Sequence, residues 1–409
     1  MKNFENGFIE FQEYMGKLKH LRRTGWVDRK IPNAETVGSH SWRMAMMVLQ
    51  IEDRLKEQGY DVDKVIEICL LHDVGEAVVG DIVPEEHQQL KVKIPREEKK
   101  RMEMEAVSKL SKDYGFPMLL ERFNEHETGK TPEAKLVAEL DKVDMLLQSY
   151  EYSLTNPKIK RLDEFLANNR QCVTLPFLKK IIDEVADRYD GLTPDNDDEI
   201  NNFVDFQMVC GNLKHLDRAG PKMYNIPDCE TVASHSWRSA VMALQMKDKL
   251  KEQGIDVNEV VRILLVHDLG EVVTGDIPPE KWQQGEKKIT AKEKKKMEVS
   301  AVAWMTKEYN VPFLWKGYRD FEKQETATSQ FAKDMEIYES IQQAYEYIKD
   351  YPEKEILQQY IPYHKPRIRD SGIIKIIDRL DVMQKNFLAK DGVLSFYENA
   401  GKRFDETSR

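Results

Sequence analysis

Apolar residues recur along this chain every three or four positions, and no stretch alternates in the manner of a β-strand. One helix is predicted to begin at Ser39, which can act as its N-cap, and to end near Gly59. An apolar run over residues 65–71 leads directly into His72 and Asp73. The periodicity predicts an all-α fold.

Further helices are predicted at 96–114, after Pro95, and at 177–189. Another is predicted to follow Thr131, because a threonine cap and Pro132 form a strong N-terminal signal. Apolar positions of that helix indicate a face that packs on the core.

The same pattern occurs twice, at a constant offset of 195 residues. Between 36–89 and 231–284, 34 of the 54 aligned positions are identical. A tandem duplication of this kind predicts two similar helical bundles. We expect a first repeat at 1–190, a linker at 191–202 that is acidic and contains Gly and Pro, a second repeat at 203–400, and a charged tail at 401–409.

Composition and charge limit the possible binding partners and the cellular compartment. The net charge of −10 argues against a nucleic-acid polymer as partner, which would require a basic surface. No apolar run is long enough to span a bilayer, and the first residues do not resemble a secretion signal. Four cysteines without CxxC spacing fit free thiols in a reducing compartment, so a cytoplasmic protein without membrane segments is expected.

The repeated motifs contain metal-ligating residue types. His40, then His72 and Asp73, are supplied by separate helices, and Asp141 lies in a core-facing helical register. Such a set suits one divalent cation. The second repeat offers the corresponding residues His235, His267, Asp268 and Glu336.

These donors suit Mn, Fe, Co, Ni or Zn, with Mg a further candidate, and the sequence does not choose among them. His20 and His215 also repeat, but they lie in an amphipathic segment for which a structural role is favoured. His126 is replaced by Phe321 in the second repeat and is not counted as a ligand.

The order His40, His72-Asp73, Asp141 resembles the H…HD…D signature of the HD-domain metal-dependent phosphohydrolases. The surrounding words are similar to those of the 5′-deoxynucleotidase branch: 23–27 (RTGWV), 35–40 (ETVGSH), 71–76 (LHDVGE) and 80–82 (GDI). The resemblance covers nearly a whole domain, twice. It implies an HD-domain fold for each repeat and one divalent metal ion per site.

The resemblance also implies roles for neighbouring residues. Glu76 lies about one helical turn after the ligand Asp73, so it can approach a water at the metal and act in catalysis. Arg23 is expected to bind phosphate, Asp81 to contact the sugar hydroxyl, and Trp26 to form a wall of the sugar–base pocket. The second repeat has Glu271, Arg218 and Asp276 at the matching catalytic and substrate positions. Lys19, Arg22 and Arg29 are candidates for additional positive potential.

The second repeat departs from the pattern near the expected substrate entrance. Asp141 is matched by the longer Glu336, which could still bind metal with altered geometry. Trp26 becomes Pro221, Arg22 becomes Asp217, Arg29 becomes Tyr224 and Lys135 becomes Gln330, so an aromatic wall and positive charge are expected to be lost there.

The resulting hypothesis is a divalent-metal phosphohydrolase acting on nucleotides, with deoxyribonucleoside 5′-monophosphates as the first candidates. An enzyme for nucleoside triphosphates, cyclic nucleotides or guanosine polyphosphates is the alternative, and a non-catalytic, metal-stabilised nucleotide sensor is another. The duplication also suggests that the two repeats pack as an internal pseudo-twofold pair, with further self-association left open.

Overall fold

The computed structural model describes residues 3–85, 88, 93–156, 170–193, 197–283 and 288–406. Within these ranges the chain is helical and contains no β-strand. The extended pairings there are single bridges, between Arg22 and Thr36 and between Asp217 and Thr231. The all-α prediction is confirmed.

In the described ranges, the α-helices of the first repeat are α1 Phe4–Leu18, α2 Thr24–Val27, α3 Val37–Gln50, α4 Glu52–Glu57, α5 Val62–Leu71, α6 Glu76–Val79, α7 Arg96–Tyr114, α8 Pro117–Thr128, α9 Pro132–Thr155 and α10 Pro176–Tyr189. Those of the second are α11 Asp198–Gly211, α12 Ala219–Met223, α13 Val232–Gln245, α14 Lys247–Glu252, α15 Val257–Val266, α16 Glu271–Thr274, α17 Ala291–Glu308, α18 Pro312–Lys323, α19 Ala327–Asp350, α20 Tyr360–His364 and α21 Ser371–Glu406. Short 3-10 turns lie at Arg170–Cys172, Asn212–Lys214, Glu280–Trp282, Glu355–Gln359 and Lys365–Arg367.

Helix positions follow the sequence offset closely. The helices α3 and α13 begin and end 195 residues apart, and so do α5 and α15. The helix α7 occupies 96–114 as predicted, and the Thr131 side chain caps α9 by accepting a hydrogen bond from the Ala134 amide. The duplicated all-α architecture is therefore confirmed.

The predicted start and end of the third helix are wrong. Thr36, not Ser39, is the N-cap of α3: its backbone is extended, and its hydroxyl accepts a hydrogen bond from the Ser39 amide at 3.2 Å. Both residue types can cap a helix, so the backbone conformation decides which one does. The helix ends at Gln50, and the separate helix α4 precedes Gly59, whose φ is +82°.

Helices extend into the segments expected to be the linker and the charged tail. The helix α11 begins at Asp198, inside the expected linker 191–202, and Asp197 caps it by accepting a hydrogen bond from the Ile200 amide. Residues 194–196 lie outside the described part of the chain. Most of the expected tail 401–409 is helical backbone, as far as Glu406. The boundaries at 190 and 400 stay predictions.

The repeats pack as a pseudo-twofold pair through α3 and α13. The N-terminal helices contact the opposite repeat: α1 packs on α19 and α21 of the second repeat as well as on α6 and α7 of its own, and α11 packs on α9 and α10 of the first. Gln12 donates to Gln245 at 2.8 Å, and Gln207 donates to Gln50 at 2.9 Å. These two bonds exchange under the 195-residue offset, as an isologous interface requires.

The hydrophobic core is continuous across this interface and includes both Trp42 and Trp237. Burial of these large side chains stabilises the association of the repeats. Among the described helices, none is both long and apolar enough to cross a membrane.

Candidate metal centre

The first candidate site lies where α3, α5 and α9 meet. His40 is on α3, His72 follows the last residue of α5, and Asp73 comes next. One ligand atom from each of these residues lies within 4.8 Å of the others. Asp141, on α9, places Oδ1 3.3 Å from His40 Nε2. The structure thus brings together all four predicted ligands of the first repeat.

Hydrogen bonds fix the tautomers of both histidines. His72 Nδ1 lies 2.9 Å from the main-chain oxygen of Cys69, which can only accept, so Nδ1 carries the proton. His40 Nδ1 donates to Asp144 Oδ2 at 2.6 Å. Both Nε2 atoms are buried and have no hydrogen-bond partner among the described residues. Each therefore offers a lone pair to a cation.

The two carboxylates are ionised in this environment. Burial would raise the pKa of Asp73, but His72 and Arg23 hold it well below its usual range. Burial likewise opposes ionisation of Asp141, whose pKa is lowered by Lys142 and His40. Two imidazoles and two carboxylates form a donor set that fits a divalent metal ion.

Glu76 begins α6, immediately after Gly75. A Cβ atom on Gly75 would lie 3.2 Å from the Cβ of Glu103, so a residue without a side chain lets this turn approach α7 closely. Glu76 Oε2 is buried and lacks a hydrogen-bond partner among the described residues. Burial, and then the charges of Asp73 and Asp81, raise its pKa well above the usual value. Lys99, whose Nζ atom lies 3.8 Å from Glu76 Oε1, opposes this shift only in part, so the metal-free environment favours the protonated carboxyl group.

Arg23 lies at the edge of the same site. Its Nη1 atom is 3.6 Å from Asp73 Oδ2, and its Nη2 atom is 3.8 Å from Asp141 Oδ1. Asp81 follows Gly80, whose φ is +80°, and Asp81 Oδ2 accepts a hydrogen bond from the Thr24 amide at 2.6 Å. Asp81 therefore fixes the segment that carries Arg23.

Trp26 does not form the expected pocket wall in this structure. Its ring is 2% exposed, because Ile31, Ala34 and Tyr152 enclose it. The indole nitrogen donates to Glu35 Oε1 at 2.9 Å.

The three residues expected to add positive potential are buried or hydrogen-bonded to the main chain. Lys19 is buried at 1% exposure, Arg22 donates to the main chain of Ala34, and Arg29 donates to the main chain of Gly25. Such contacts depend on the three-dimensional environment, which charge alone does not reveal.

His126 is a neighbour of the site that sequence reasoning set aside. Its ring centre lies 5.2 Å from that of His72. It lines a cavity of about 640 Å³ together with Asp73, Lys99 and Glu103. The residue was discounted because it is not repeated, and the sequence holds no other signal of its proximity.

The second candidate site repeats the ligand geometry. Ligand atoms of His235, His267 and Asp268 lie within 4.8 Å of one another. His267 Nδ1 donates to the main-chain oxygen of Leu264 at 2.7 Å, and His235 Nδ1 donates to Glu339. Both Nε2 atoms are buried and, among the described residues, have no hydrogen-bond partner.

A cavity of about 300 Å³ adjoins His267 and Asp268. It is lined by the remaining candidate residues of the second repeat, which are Arg218, Glu271, Asp276 and Glu336. The Arg218 guanidinium donates to Asp268 Oδ2 at 2.9 Å. Glu336 pairs with Lys333 at 3.0 Å; burial opposes its ionisation, but Lys333, His267 and His235 lower its pKa to about 2.

The second cavity has aromatic and positive groups besides those at the substituted positions. It is lined by Tyr318, Tyr360, Lys294, Lys333 and Arg367. Most of these side chains are distant in sequence from the substituted positions. The replacement of Trp26 by Pro221 therefore does not leave the cavity without aromatic groups.

Comparison with known proteins agrees with the site. A profile described as the HD domain matches residues 15–175 and 210–376. The 5′-deoxynucleotidase HDDC2 of Dictyostelium discoideum is 34% identical over 186 residues, which cover 43% of this chain and 95% of that protein. The 5′-deoxynucleotidase HDDC2 of Homo sapiens is 34% identical over 181 residues, covering 43% of this chain and 83% of that protein.

A solved structure, described as a conserved hypothetical protein from Pyrococcus furiosus, is 33% identical, with 44% of this chain and 98% of that chain covered and a TM-score of 0.36. The profile matches are the decisive finding, because they extend over more than half of the sequence and recover both repeats. This chain belongs to the HD-domain family.

Proposed function

We propose that the first repeat binds one divalent metal ion through His40, His72, Asp73 and Asp141 and releases phosphate from deoxyribonucleoside 5′-monophosphates. The observation that supports this most is the pair of buried Nε2 atoms, without hydrogen-bond partners among the described residues, which face two ionised carboxylates. The choice of substrate is supported by the relatives, which are named 5′-deoxynucleotidases.

Each group has a chemical task in this proposal. A cation bound there would polarise the phosphate and acidify a water molecule. Arg23 binds phosphate oxygens, because its planar guanidinium donates two parallel hydrogen bonds. Glu76 would transfer a proton between the attacking water and the departing 5′ oxygen of the nucleoside. Asp81, beside the Arg23 segment, is proposed to contact the sugar.

We propose that the second repeat also binds a divalent ion, through His235, His267, Asp268 and Glu336. Glu271, Arg218 and Asp276 would take the catalytic and substrate positions there. Burial and the charge of Asp268 raise the pKa of Glu271 well above its usual value, as in the first site. Because the side chains lining the second cavity differ, its substrate preference should differ as well.

The test is phosphate release from a panel of ribo- and deoxyribonucleoside monophosphates, with Mn²⁺ or Co²⁺ and then Fe²⁺, Ni²⁺, Zn²⁺ or Mg²⁺. Wild type, Asp73→Ala and Asp268→Ala are compared side by side. Loss with Asp73→Ala alone would assign turnover to the first repeat, and comparable losses would indicate two working sites.

Other outcomes would replace the proposal. Release of triphosphate from a nucleoside triphosphate, or hydrolysis of a cyclic nucleotide or guanosine polyphosphate, would keep the metal site and change the substrate. Tight nucleotide binding without turnover under every metal would favour a sensor. The cytoplasmic location stays a prediction.

A further inference from the structure

A lysine from the second repeat is buried behind the candidate metal site of the first. Lys214 lies in the turn Asn212–Lys214 and is 1% exposed. Its ammonium group contacts Glu35, and it lies 3.5 Å from Asp144 Oδ2. A charged group so deeply buried requires partners, and both of these partners belong to the first repeat.

The two carboxylates that contact Lys214 support different parts of the site. Asp144 accepts the hydrogen bond from His40 Nδ1 that fixes its tautomer. The main-chain oxygen of Glu35 accepts a hydrogen bond from the Arg23 amide at 3.0 Å, so the same residue holds the proposed phosphate-binding segment. One ammonium group therefore contacts the residues that orient a ligand and a substrate group.

This cluster is a buried ion network and not an additional metal site. Glu35, His40 and Asp144 are close enough together to hold a cation. The Lys214 ammonium already contacts Glu35 and lies beside Asp144. Arg43 contacts Asp144 through Nε and Glu151 through Nη1 at 2.6 Å.

The reverse arrangement exists on the other side of the pseudo-twofold axis. Lys19, from the first repeat, contacts Glu230 and Glu339 of the second, and its Nζ atom donates to Gln343 at 2.8 Å. Glu339 accepts the hydrogen bond from His235 Nδ1. Each lysine is thus 195 residues from the other and lies behind the site of the opposite repeat.

We propose that Lys214 and Lys19 are positioning residues that act across the repeat interface: each holds the carboxylate that orients the first histidine ligand of the other repeat. Without Lys214, the neighbouring carboxylates of Glu35 and Asp144 would repel each other in a region that excludes water. Asp144 would then hold His40 less firmly, and the Nε2 lone pair would lose its fixed direction. The inference rests on the proposed metal sites, not on the proposed substrate.

The experiment uses Co²⁺ titration followed by visible absorption, with full-length protein. Asp268→Ala leaves the first site as the one to be observed, and Asp73→Ala leaves the second. In the Asp268→Ala background, Lys214→Met should weaken Co²⁺ binding by about 10- to 100-fold and change the spectrum, as loss of support for a ligand does. Lys19→Met should change the Co²⁺ affinity of that site by no more than about twofold. In the Asp73→Ala background, Lys19→Met should weaken Co²⁺ binding at the second site, and Lys214→Met should have little effect.

A second variant separates positioning from folding. Glu35→Gln combined with Lys214→Met removes one negative and one positive charge, so no net charge is left uncompensated. Because Glu35 then no longer repels Asp144, this variant should recover most of the Co²⁺ affinity and spectrum that Lys214→Met alone loses at the first site. If it folds by circular dichroism but binds Co²⁺ no better than Lys214→Met alone, or if Lys214→Met alone leaves affinity and spectrum unchanged, the proposal is overturned. Equal weakening of both sites by either lysine variant would also overturn it, because that result describes general destabilisation. Co²⁺ binding without phosphate release would refute the proposed reaction. The Co²⁺ affinities of the lysine variants would still test the role of the two lysines.

Discussion

The indole nitrogen of Trp42 donates a hydrogen bond to the main-chain oxygen of Leu265, 3.0 Å away on the opposite repeat. Trp237 makes the matching bond to Leu70, also at 3.0 Å. Both carbonyl groups lie in the last turn of the helices that precede His72 and His267, where helical carbonyls lack partners from their own helix. Each repeat therefore supports the helix end that delivers the His-Asp pair of the other.

Replacement of Trp42 by Phe should destabilise the whole protein. The variant loses the bond to Leu265 and part of a buried ring, and together these should lower the free energy of unfolding by about 1–3 kcal/mol. Urea denaturation measures the change. Trp304→Phe is the matched control, because Trp304 is 46% exposed. Equal midpoints for the two variants would show that the bond across the interface contributes nothing.

Metal affinity at the first site should increase as the pH rises above about 6.5, the ordinary pKa of histidine. Burial and Arg23 lower the pKa of His40, but Asp144 and Asp141 raise it by more. A proton therefore competes with the metal ion for Nε2, and binding must release it. Calorimetry with Mn²⁺, in two buffers that differ in ionisation enthalpy, detects this proton in the Asp268→Ala variant. Enthalpies that are identical in both buffers would contradict the competition.

Glu76→Gln should separate metal binding from turnover. The amide is similar in shape to the carboxylic acid but cannot transfer the proton, so kcat should fall by about 100-fold or more. Co²⁺ affinity should change little, because Glu76 is not among the proposed ligands. Glu271→Gln, the equivalent change in the second repeat, shows how much of the activity belongs to that site. Undiminished kcat in both variants would exclude the proposed proton transfer.

The chemistry of the site was more predictable than its support. His40, His72 and Asp73 were recognisable because their spacing recurs 195 residues later, and their convergence follows from the amphipathic helices that carry them. Asp144 and Lys214 are matched at the same offset by Glu339 and Lys19, but that recurrence did not indicate what they do. They contact each other across 70 residues of sequence. The sequence of an apolar helix with one charged residue is the same whether that residue faces water or a buried partner.

The cap at Thr36 and the burial of Trp26 illustrate the same limit at shorter range. Thr36 and Ser39 are both competent caps, and a φ and ψ near −93° and 160° at Thr36 decide between them. Trp26 lies two residues from the helix start at Thr24, yet its ring is enclosed by side chains from as far along the chain as Tyr152. Local sequence specifies the helix but not which neighbours cover its side chains.

Glu103→Gln should stabilise the metal-free protein increasingly as the pH rises. Burial, only partly offset by Lys99, raises the pKa of Glu103 to about 7, from 4.5 in its ordinary state. Because the folded protein holds this proton more tightly, the contribution of Glu103 to stability is full below about pH 4.5 and is lost as the pH rises through 7. The variant avoids that loss, by at most about 3 kcal/mol at pH 8. Denaturation in EDTA at pH 5.5 and pH 8 measures it, and a gain independent of pH would contradict the assignment.

The isolated first repeat should form a homodimer. A fragment of residues 1–193 would expose the face of α3 that carries Trp42, and it would leave Glu35 and Asp144 without Lys214. A second copy can supply the missing groups, because its own Lys19 is the equivalent of Lys214 under the offset.

Sedimentation equilibrium should therefore give twice the fragment mass at micromolar concentration. Lys19→Met should weaken this dimer by more than tenfold in dissociation constant, since two buried carboxylates per interface half would lose their partner. Arg101→Met is the control, because Arg101 pairs only with Glu98 and Glu105 of its own helix among the ion pairs of the described residues. A folded, monomeric fragment would show that the contacts of the N-terminal helices and of the buried lysines with the opposite repeat do not drive the association of the repeats.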